Sequence, residues 1–322
     1  LIPPAAHFIW LGRKFPWVYV LGVVSAARRG GFEQVYLQHT DDLSGDAGYA
    51  ELRAEPRVTC SQLEPEPLLE AAGGPALVDA YRELTTPAGR VNLLRMALLH
   101  ERGGVYLDTD TVTLKSFRPL LAPGGVFCGE ERLVYPGSAG TGVLSRVRPG
   151  ALARTALRDV LRRLPRGHRY FRQLEHYYPT AANNAVLGAE ARHPFLRELI
   201  ERGLSLPRER RRVRYAFGTH LLQRTVAEFR GPGLRLLPPA VFYPLGPEIS
   251  EHWFRPAHGA KLDEVLTSET VLVHWYASVR TTGHTRPIDR AWLDAHAGDR
   301  LFAALALRAL GAGVDARAHD GA

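Results

Sequence analysis

Asn92-Leu93-Leu94-Arg95-Met96-Ala97-Leu98-Leu99-His100-Glu101-Arg102-Gly103-Gly104-Val105-Tyr106-Leu107-Asp108-Thr109-Asp110 is the stretch on which the fold turns. From Pro87 to Arg102 the apolar residues Val91, Leu93, Leu94, Met96, Leu98 and Leu99 fall on nearly every side of a helix. A helix that is apolar all round is buried rather than laid on a surface. Gly103-Gly104 stops it, and Val105-Tyr106-Leu107 starts a strand that runs into Asp108-Thr109-Asp110. A buried helix feeding a buried strand predicts an α/β fold with a mainly parallel sheet. Side chains two apart on an extended chain point the same way, so both aspartates can face one site. Two hard oxygen ligands at that spacing suit Mg²⁺ or Mn²⁺ bridging phosphates.

An Asp-x-Asp pair alone is equally a polar turn after a strand, so its neighbours carry the weight. Arg95 lies inside the apolar helix, where an unpaired guanidinium is costly to bury. Its partner is one of the aspartates or a bound phosphate, or it forms a plain structural ion pair. Asn92 sits one turn earlier on the same face.

Working outward, His7 to Leu11 closed by Gly12 reads as a short buried strand, Trp17–Arg29 as a helix ended by Gly30-Gly31, and Val35–Gln38 as a second strand. Thr40–Gly48 is polar and reads as flexible, Arg57–Cys60 as a third strand, and the Pro/Glu-rich run after it as a loop. Helices are predicted at about Ala151–Leu164, Ala181–Glu190, Pro194–Arg202, Tyr215–Phe229 and Ala291–Leu310, and Val271–Trp275 as a late core strand. With no repeat and no clear linker, residues 1–310 are expected to form one domain and residues 311–322 a flexible tail.

The 322 residues are 45% apolar and 23% charged, a balance that excludes disorder over most of the length. The formal charge of +8 is carried almost wholly by Arg, since Lys14, Lys115 and Lys261 are the only lysines. It suits an anionic ligand such as a nucleotide diphosphate, or peripheral contact with an anionic membrane. The basic run Arg208–Arg214 has no aromatic platform beside it and reads as a solvated loop, so no nucleic-acid partner is expected. Cys60 and Cys128 are the only cysteines and form no zinc pattern, which fits a reducing, cytoplasmic setting. No window reaches the roughly 18 apolar residues of a membrane span. The chain opens at Leu1 and its one methionine is Met96, so its start says nothing about a leader.

The segment from Asn92 to Asp110 closely resembles the DXD segment of family-32 glycosyltransferases, a group with capsular polysaccharide, α-galactosyl- and mannosyltransferase members and, more distantly, the clostridial glucosylating toxins. Further matches follow in order: Pro3–Gly12 resembles the family's opening motif, Asn183–Gly188 with His193–Leu196 its mid-chain segment, and Pro239–Pro244 and His274–Ser278 its closing motifs. The resemblance implies a GT-A type α/β fold and a metal-dependent, retaining transfer of a sugar from a nucleotide-sugar, UDP-linked by preference, to a glycan, lipid-linked or small-molecule acceptor. By it, Trp10 stacks on the nucleobase and Ile9 offers backbone bonds to it. Asn92, Arg95, Tyr106, Asn183 and Asn184 contact the donor, Asp108 the ribose and metal, and Asp110 the metal. His274 and Ser278 approach the metal and diphosphate. Arg95, Asp108 and Asp110 form the catalytic centre, with Mn²⁺ or Mg²⁺ as cofactor.

Three positions depart from the family pattern. Asn92 stands where Asp is usual, Gly218-Thr219 where Gly-Pro is usual, and Val279 where Trp is common. The first leaves open a non-catalytic protein that binds nucleotide-sugars or glycans. A second alternative is a haloacid-dehalogenase-like phosphatase, because Asp108-Thr109-Asp110-Thr111 resembles its nucleophile loop.

Overall fold

The computed structural model describes residues 1–134, 149–211, 216–277, 279, 281–285 and 287–311. Its centre is a seven-stranded sheet, flanked by helices, of β1 (Ala5–Trp10), β2 (Gln34–His39), β3 (Val58–Gln62), β4 (Gly104–Leu107), β6 (Val126–Arg132), β7 (Thr180–Ala189) and β8 (Leu234–Leu237), in the order β3-β2-β1-β4-β7-β6-β8. A two-stranded ribbon pairs β5 (Thr111–Thr113) with β9 (Leu272–His274). Only β7 runs against its neighbours in the large sheet; every other pairing is parallel. The mostly parallel α/β architecture is the one expected.

The deciding stretch folds as read. Helix α4 (Pro87–Arg102) is capped by Thr86, whose Oγ1 accepts from the Gly89 amide at 3.2 Å. It is buried from Asn92 to His100, with one face on the sheet and others against α3 (Pro65–Glu83) and the helix Pro194–Leu204. Gly103 and Gly104 then take φ of 65° and 97°. A Cβ on Gly104 would sit 2.8 Å from the Ala5 carbonyl oxygen, so the tight passage from α4 into β4 demands glycine.

Helix α1 spans Trp17–Arg29 as predicted, and its buried side covers the far face of the sheet. At Gly22 it comes so close to the Asp108-Thr109-Asp110 turn that an added Cβ would lie 2.5 Å from the Thr109 carbonyl oxygen.

Several local expectations are corrected. Ala181–Glu190, read as a helix, is strand β7 up to Ala189. Its alanines favour helix, but propensity yields readily to tertiary context. Burial between β4 and β6 overrides them, and small residues suit a crowded central strand: a Cβ on Gly188 would strike the Phe127 ring at 2.2 Å. The stretch Thr40–Gly48 leads into a helix at Ala47–Ala54, capped by Asp46, and is pinned by Asp41 accepting from Gly12 N at 2.9 Å and Asp46 accepting from Phe15 N at 3.0 Å. The run after β3 is not a loop but α3, kinked at Gly74-Pro75. The last helix is two, Arg290–Ala295 and Leu301–Leu310. The helix expected from Tyr215 begins at Thr219; Tyr215 itself, like the tail beyond Gly311, is outside the described residues.

Gly22 supplies a test whose sign separates two effects. Replacing a mid-helix glycine with alanine ordinarily gains about 1 kcal/mol from helix propensity. Here Gly22→Ala is expected to lower the melting temperature, because the methyl group meets a backbone oxygen that cannot swing away. A raised melting temperature would show that the turn yields freely and is not braced by α1.

Candidate functional site

Topology brings the chemistry to one edge of the sheet. The parallel strands β1 and β4 lie side by side at the point where strand order reverses, the place where open α/β sheets bind ligands. Because β7 is antiparallel, its amino end lies beside the carboxyl end of β4, with Leu107 opposite Val186. β6 in turn ends at the same edge, with Gly129 opposite Asn183 and Glu131 opposite Ala181. The pairing of β6 with β7 jumps between Cys128 and Gly129, from Leu187 to Asn183. The backbone freed by this irregularity serves the site: Ala185 O accepts from Asp108 N at 2.8 Å, and Asn184 O accepts from Arg95 Nη1.

Arg95 is 5% exposed and finds the partner its burial requires. Its Nη2 donates to Asp108 Oδ1 at 3.1 Å, and its guanidinium carbon lies 4.3 Å from the centre of the Tyr106 ring. Tyr106 OH donates to the same Oδ1 at 2.7 Å, so Oδ2 is committed by neither bond. Burial pushes the Asp108 pKa up; Arg95 opposes that shift, and the negative charge of Asp110 adds to it.

The β5–β9 ribbon sets Asp110 against His274. Thr111 pairs with His274 in register, and Trp275 N donates to Asp110 O at 3.0 Å. His274 Nε2 then lies 3.1 Å from Asp110 Oδ1, the distance of a hydrogen bond in which the imidazole N–H donates. Asp110 Oδ2 accepts from Ala277 N at 2.7 Å. Burial works to raise the Asp110 pKa, but the charge and hydrogen bond of His274 and the Ala277 amide outweigh it and hold the carboxyl below its ordinary value. For His274 burial works downward, and Asp110 more than reverses it. Ligand atoms of Asp108, Asp110 and His274 all lie within 4.8 Å of one another. Two carboxylates and one imidazole crowded this closely, with like charge on the first pair, are a donor set that fits Mn²⁺ or Mg²⁺.

These groups line a cavity of about 620 Å³. Of the residues singled out from the sequence, Ile9, Trp10, Asn92, Arg95, Tyr106, Asp108, Asp110, Asn183, Asn184 and His274 all line it. Ser278 lies outside the described residues. Trp10 is held edge-on by Phe15 at 4.8 Å and tilted against Tyr19 at 5.0 Å, while its indole N–H donates to Lys14 O at 3.0 Å. Asn92 Oδ1 accepts from Asn184 Nδ2 at 3.0 Å. Gly218 closes over this amide pair, a Cβ there falling 2.9 Å from Asn92 Nδ2. Asn183 Oδ1 is turned inward to Ala185 N at 2.7 Å.

Two cavity residues escaped the sequence reading. Glu131 is 5% exposed, with its pKa raised by burial. It accepts hydrogen bonds from Asn183 and, at 2.8 Å, from Tyr276 OH. Tyr276 has φ of 60°, a left-handed backbone that is uncommon for a residue with a bulky side chain. Such strain clusters at functional sites. Here it turns the ring against His274, 4.1 Å away, and carries the hydroxyl to Glu131. The signal available in the sequence was the Trp275-Tyr276 pair next to His274.

Residues 36–125 match the family model described as "Glycosyltransferase sugar-binding region containing DXD motif", and the segment from Asn92 to Asp110 lies inside the match. The match thus falls on the same segment whose sequence resembles the DXD segment. Among solved structures, the chain is similar to the PaToxG glycosyltransferase, at 15% identity over 70% of this chain and 69% of that one, with a TM-score of 0.45. It is also similar to mouse xyloside xylosyltransferase 1 in its apo form, at 11% identity over 84% and 96%, TM-score 0.46. A third is the galactosyltransferase LgtC in complex with donor and acceptor sugar analogues, at 10% identity over 89% and 98%, TM-score 0.37. No curated protein matches the sequence.

The Arg95–Asp108 pair predicts a non-additive stability cycle. Arg95→Ala strands a half-buried carboxylate and is expected to cost about 3 kcal/mol. Asp108→Asn in the same background removes the stranded charge and should return part of that loss. Urea unfolding of the four proteins checks this, and strictly additive changes would mean that the pair is not coupled.

Proposed function

We propose that this chain is a metal-dependent glycosyltransferase of the GT-A type, one domain over residues 1–310, that moves a sugar from a nucleotide-sugar to an acceptor with retention of configuration. The observation that carries the reading is the meeting of Asp108, Asp110 and His274 with the half-exposed Trp10 face in one cavity. A UDP-sugar is the favoured donor, and the acceptor is a glycan, a lipid-linked sugar or a small molecule.

The task is to break a sugar–phosphate bond while negative charge grows on the departing diphosphate. A Mn²⁺ or Mg²⁺ ion held by Asp108, Asp110 and His274 would act as a Lewis acid on the diphosphate oxygens. Arg95 adds a fixed positive charge at the same edge, oriented in advance by Asp108, Tyr106 and the Asn184 carbonyl. Trp10 offers a flat apolar surface for the nucleobase. Asn92 and Asn184 face the transferred sugar as a hydrogen-bonded amide pair. Glu131, held by Tyr276 and Asn183, receives a hydrogen bond from a hydroxyl of the bound sugar or acceptor.

The phosphatase alternative is disfavoured, because its chemistry needs a lysine beside the nucleophile, no lysine among the described residues lines this cavity, and it leaves Trp10 without a task. The binding-protein alternative keeps its motive in Asn92. A screen of UDP- and GDP-sugars for Mn²⁺-dependent hydrolysis decides between them, with turnover of at least one UDP-sugar expected. Tight UDP binding without turnover of any donor or acceptor pair would overturn the enzymatic reading.

Two substitutions sharpen the test. Asn92→Asp replaces an amide that both donates and accepts with a group that only accepts, so the ranking of donors by kcat/KM should change. An unchanged ranking would mean that Asn92 does not read the sugar. Glu131→Gln should lower kcat by about 100-fold with donor KM little altered. An undiminished kcat would leave Glu131 a structural member of the wall.

A further inference from the structure

The helix Pro149–Arg163 is apolar on its outer side as well as its inner one. Its inward side buries Ala151, packs Leu157 and Leu161 on the core, and also carries arginines: Arg158 Nη1 donates to Glu248 Oε2 at 3.0 Å, and Arg162 Nε to Glu251 Oε1. Its outward side is apolar. Leu152, Ala156, Val160 and Leu164 recur every four residues and are all exposed, Leu152 at 53% and Val160 at 52%. A helix on the surface of a globular protein normally turns a polar side outward. The packed neighbour Gly167–Leu174 and the turn after it add Tyr170 at 53% and Tyr177 at 62% exposure. Five of the seven exposed large apolar side chains among the described residues thus fall between 152 and 177; the other two are Leu1 and Leu236.

The charge on this face is mainly positive. Among the exposed positions of 150–177 the charged residues are Arg163 and Arg169, and the Asp159 carboxylate, which also reaches water, is paired with Arg158 and Arg162. Asp159 and Glu175 are half-buried beside Arg158 and Arg172. A protein partner would need more area. About half of five side chains of roughly 200 Å² each gives on the order of 500 Å², short of the roughly 800 Å² per partner of a stable complex. A bilayer sets no such threshold. Leucine and valine enter the acyl boundary, tyrosines settle at the headgroup level, and flanking arginines meet lipid phosphates.

We propose that the outer face of the two helices, Leu152 to Tyr177, docks on an anionic lipid surface. The position relative to the cavity gives the docking a purpose. Glu248, which Arg158 grips from the inner side of the helix, lines the cavity and also accepts from Val134 N at 2.9 Å. The lipid-facing stripe is therefore separated from the cavity wall by about one helix diameter, roughly 10–12 Å. Resting on the glycosyltransferase reading, this favours an acceptor held at a lipid surface over a free sugar.

Flotation of the full chain with phosphatidylcholine vesicles, with and without phosphatidylglycerol, tests the docking directly and needs no turnover. The protein should float with the anionic vesicles, less so at high salt, and scarcely with the neutral ones. The triple variant Leu152→Ser, Val160→Ser, Leu164→Ser should bind about tenfold more weakly or worse, with an unchanged melting temperature. Tyr170→Gln with Tyr177→Gln, on the second helix, should weaken binding independently. Equal flotation of parent and both variants would overturn the proposal, as would no flotation of the parent. Light scattering covers the remaining outcome: a parent dimer that the triple variant turns into a monomer would assign the face to self-association. Failure of donor hydrolysis in vesicle-free buffer would count against the enzymatic reading alone, since vesicle binding is read separately.

Discussion

A single guanidinium buried inside an apolar helix is the constraint from which the site follows. Arg95 cannot remain in that setting uncompensated, and the fold answers with three groups from two strands: the Asp108 carboxylate, the Tyr106 ring and the Asn184 carbonyl. Those contacts tie α4 to β4 and to the amino end of β7. They also explain why the β6–β7 register breaks where it does, since the backbone of 184–186 must leave β6 to reach Arg95 and Asp108. What is left over is negative charge. Asp110 and the free oxygen of Asp108 face His274 across less than 5 Å, an arrangement that gains from a bound cation.

The helix–turn–strand at the centre was legible because each local signal agreed with the next: an all-apolar helix, two glycines that alone fit their positive φ, and a buried strand ending in paired aspartates. Trp10, Asn92 and His274 were legible through motif resemblance rather than through any periodicity of their own. Glu131 was not, because Gly129-Glu130-Glu131-Arg132 reads locally as a polar surface run. Only pairing with β7 and the strained Tyr276 bury its carboxylate, and neither is visible from neighbouring residues. The same limit produced the misreading of Ala181–Glu190, where alanine content pointed to helix while the place between two strands decided otherwise.

The ion pairs around Glu248 and Glu251 extend this logic to the surface. Arginines that would ordinarily face water are drawn to buried carboxylates beside the core-facing Leu157 and Leu161, and the helix Pro149–Arg163 leaves Leu152 and Val160 on its outer side. Site and surface are thereby coupled through Glu248, one residue that belongs to both. No described helix is long and apolar enough to cross a membrane.

The central claim is that Asp108, Asp110 and His274 form a metal site that holds a nucleotide diphosphate in the Trp10 cavity. Calorimetric titration of UDP into the parent and into Asp110→Asn, each with and without Mn²⁺, tests it most directly. The account predicts that Mn²⁺ tightens UDP binding to the parent by about tenfold or more, worth roughly 1.4 kcal/mol or above, and that the variant, still folded, loses this gain. Equal UDP affinity of the parent with and without Mn²⁺ would contradict it.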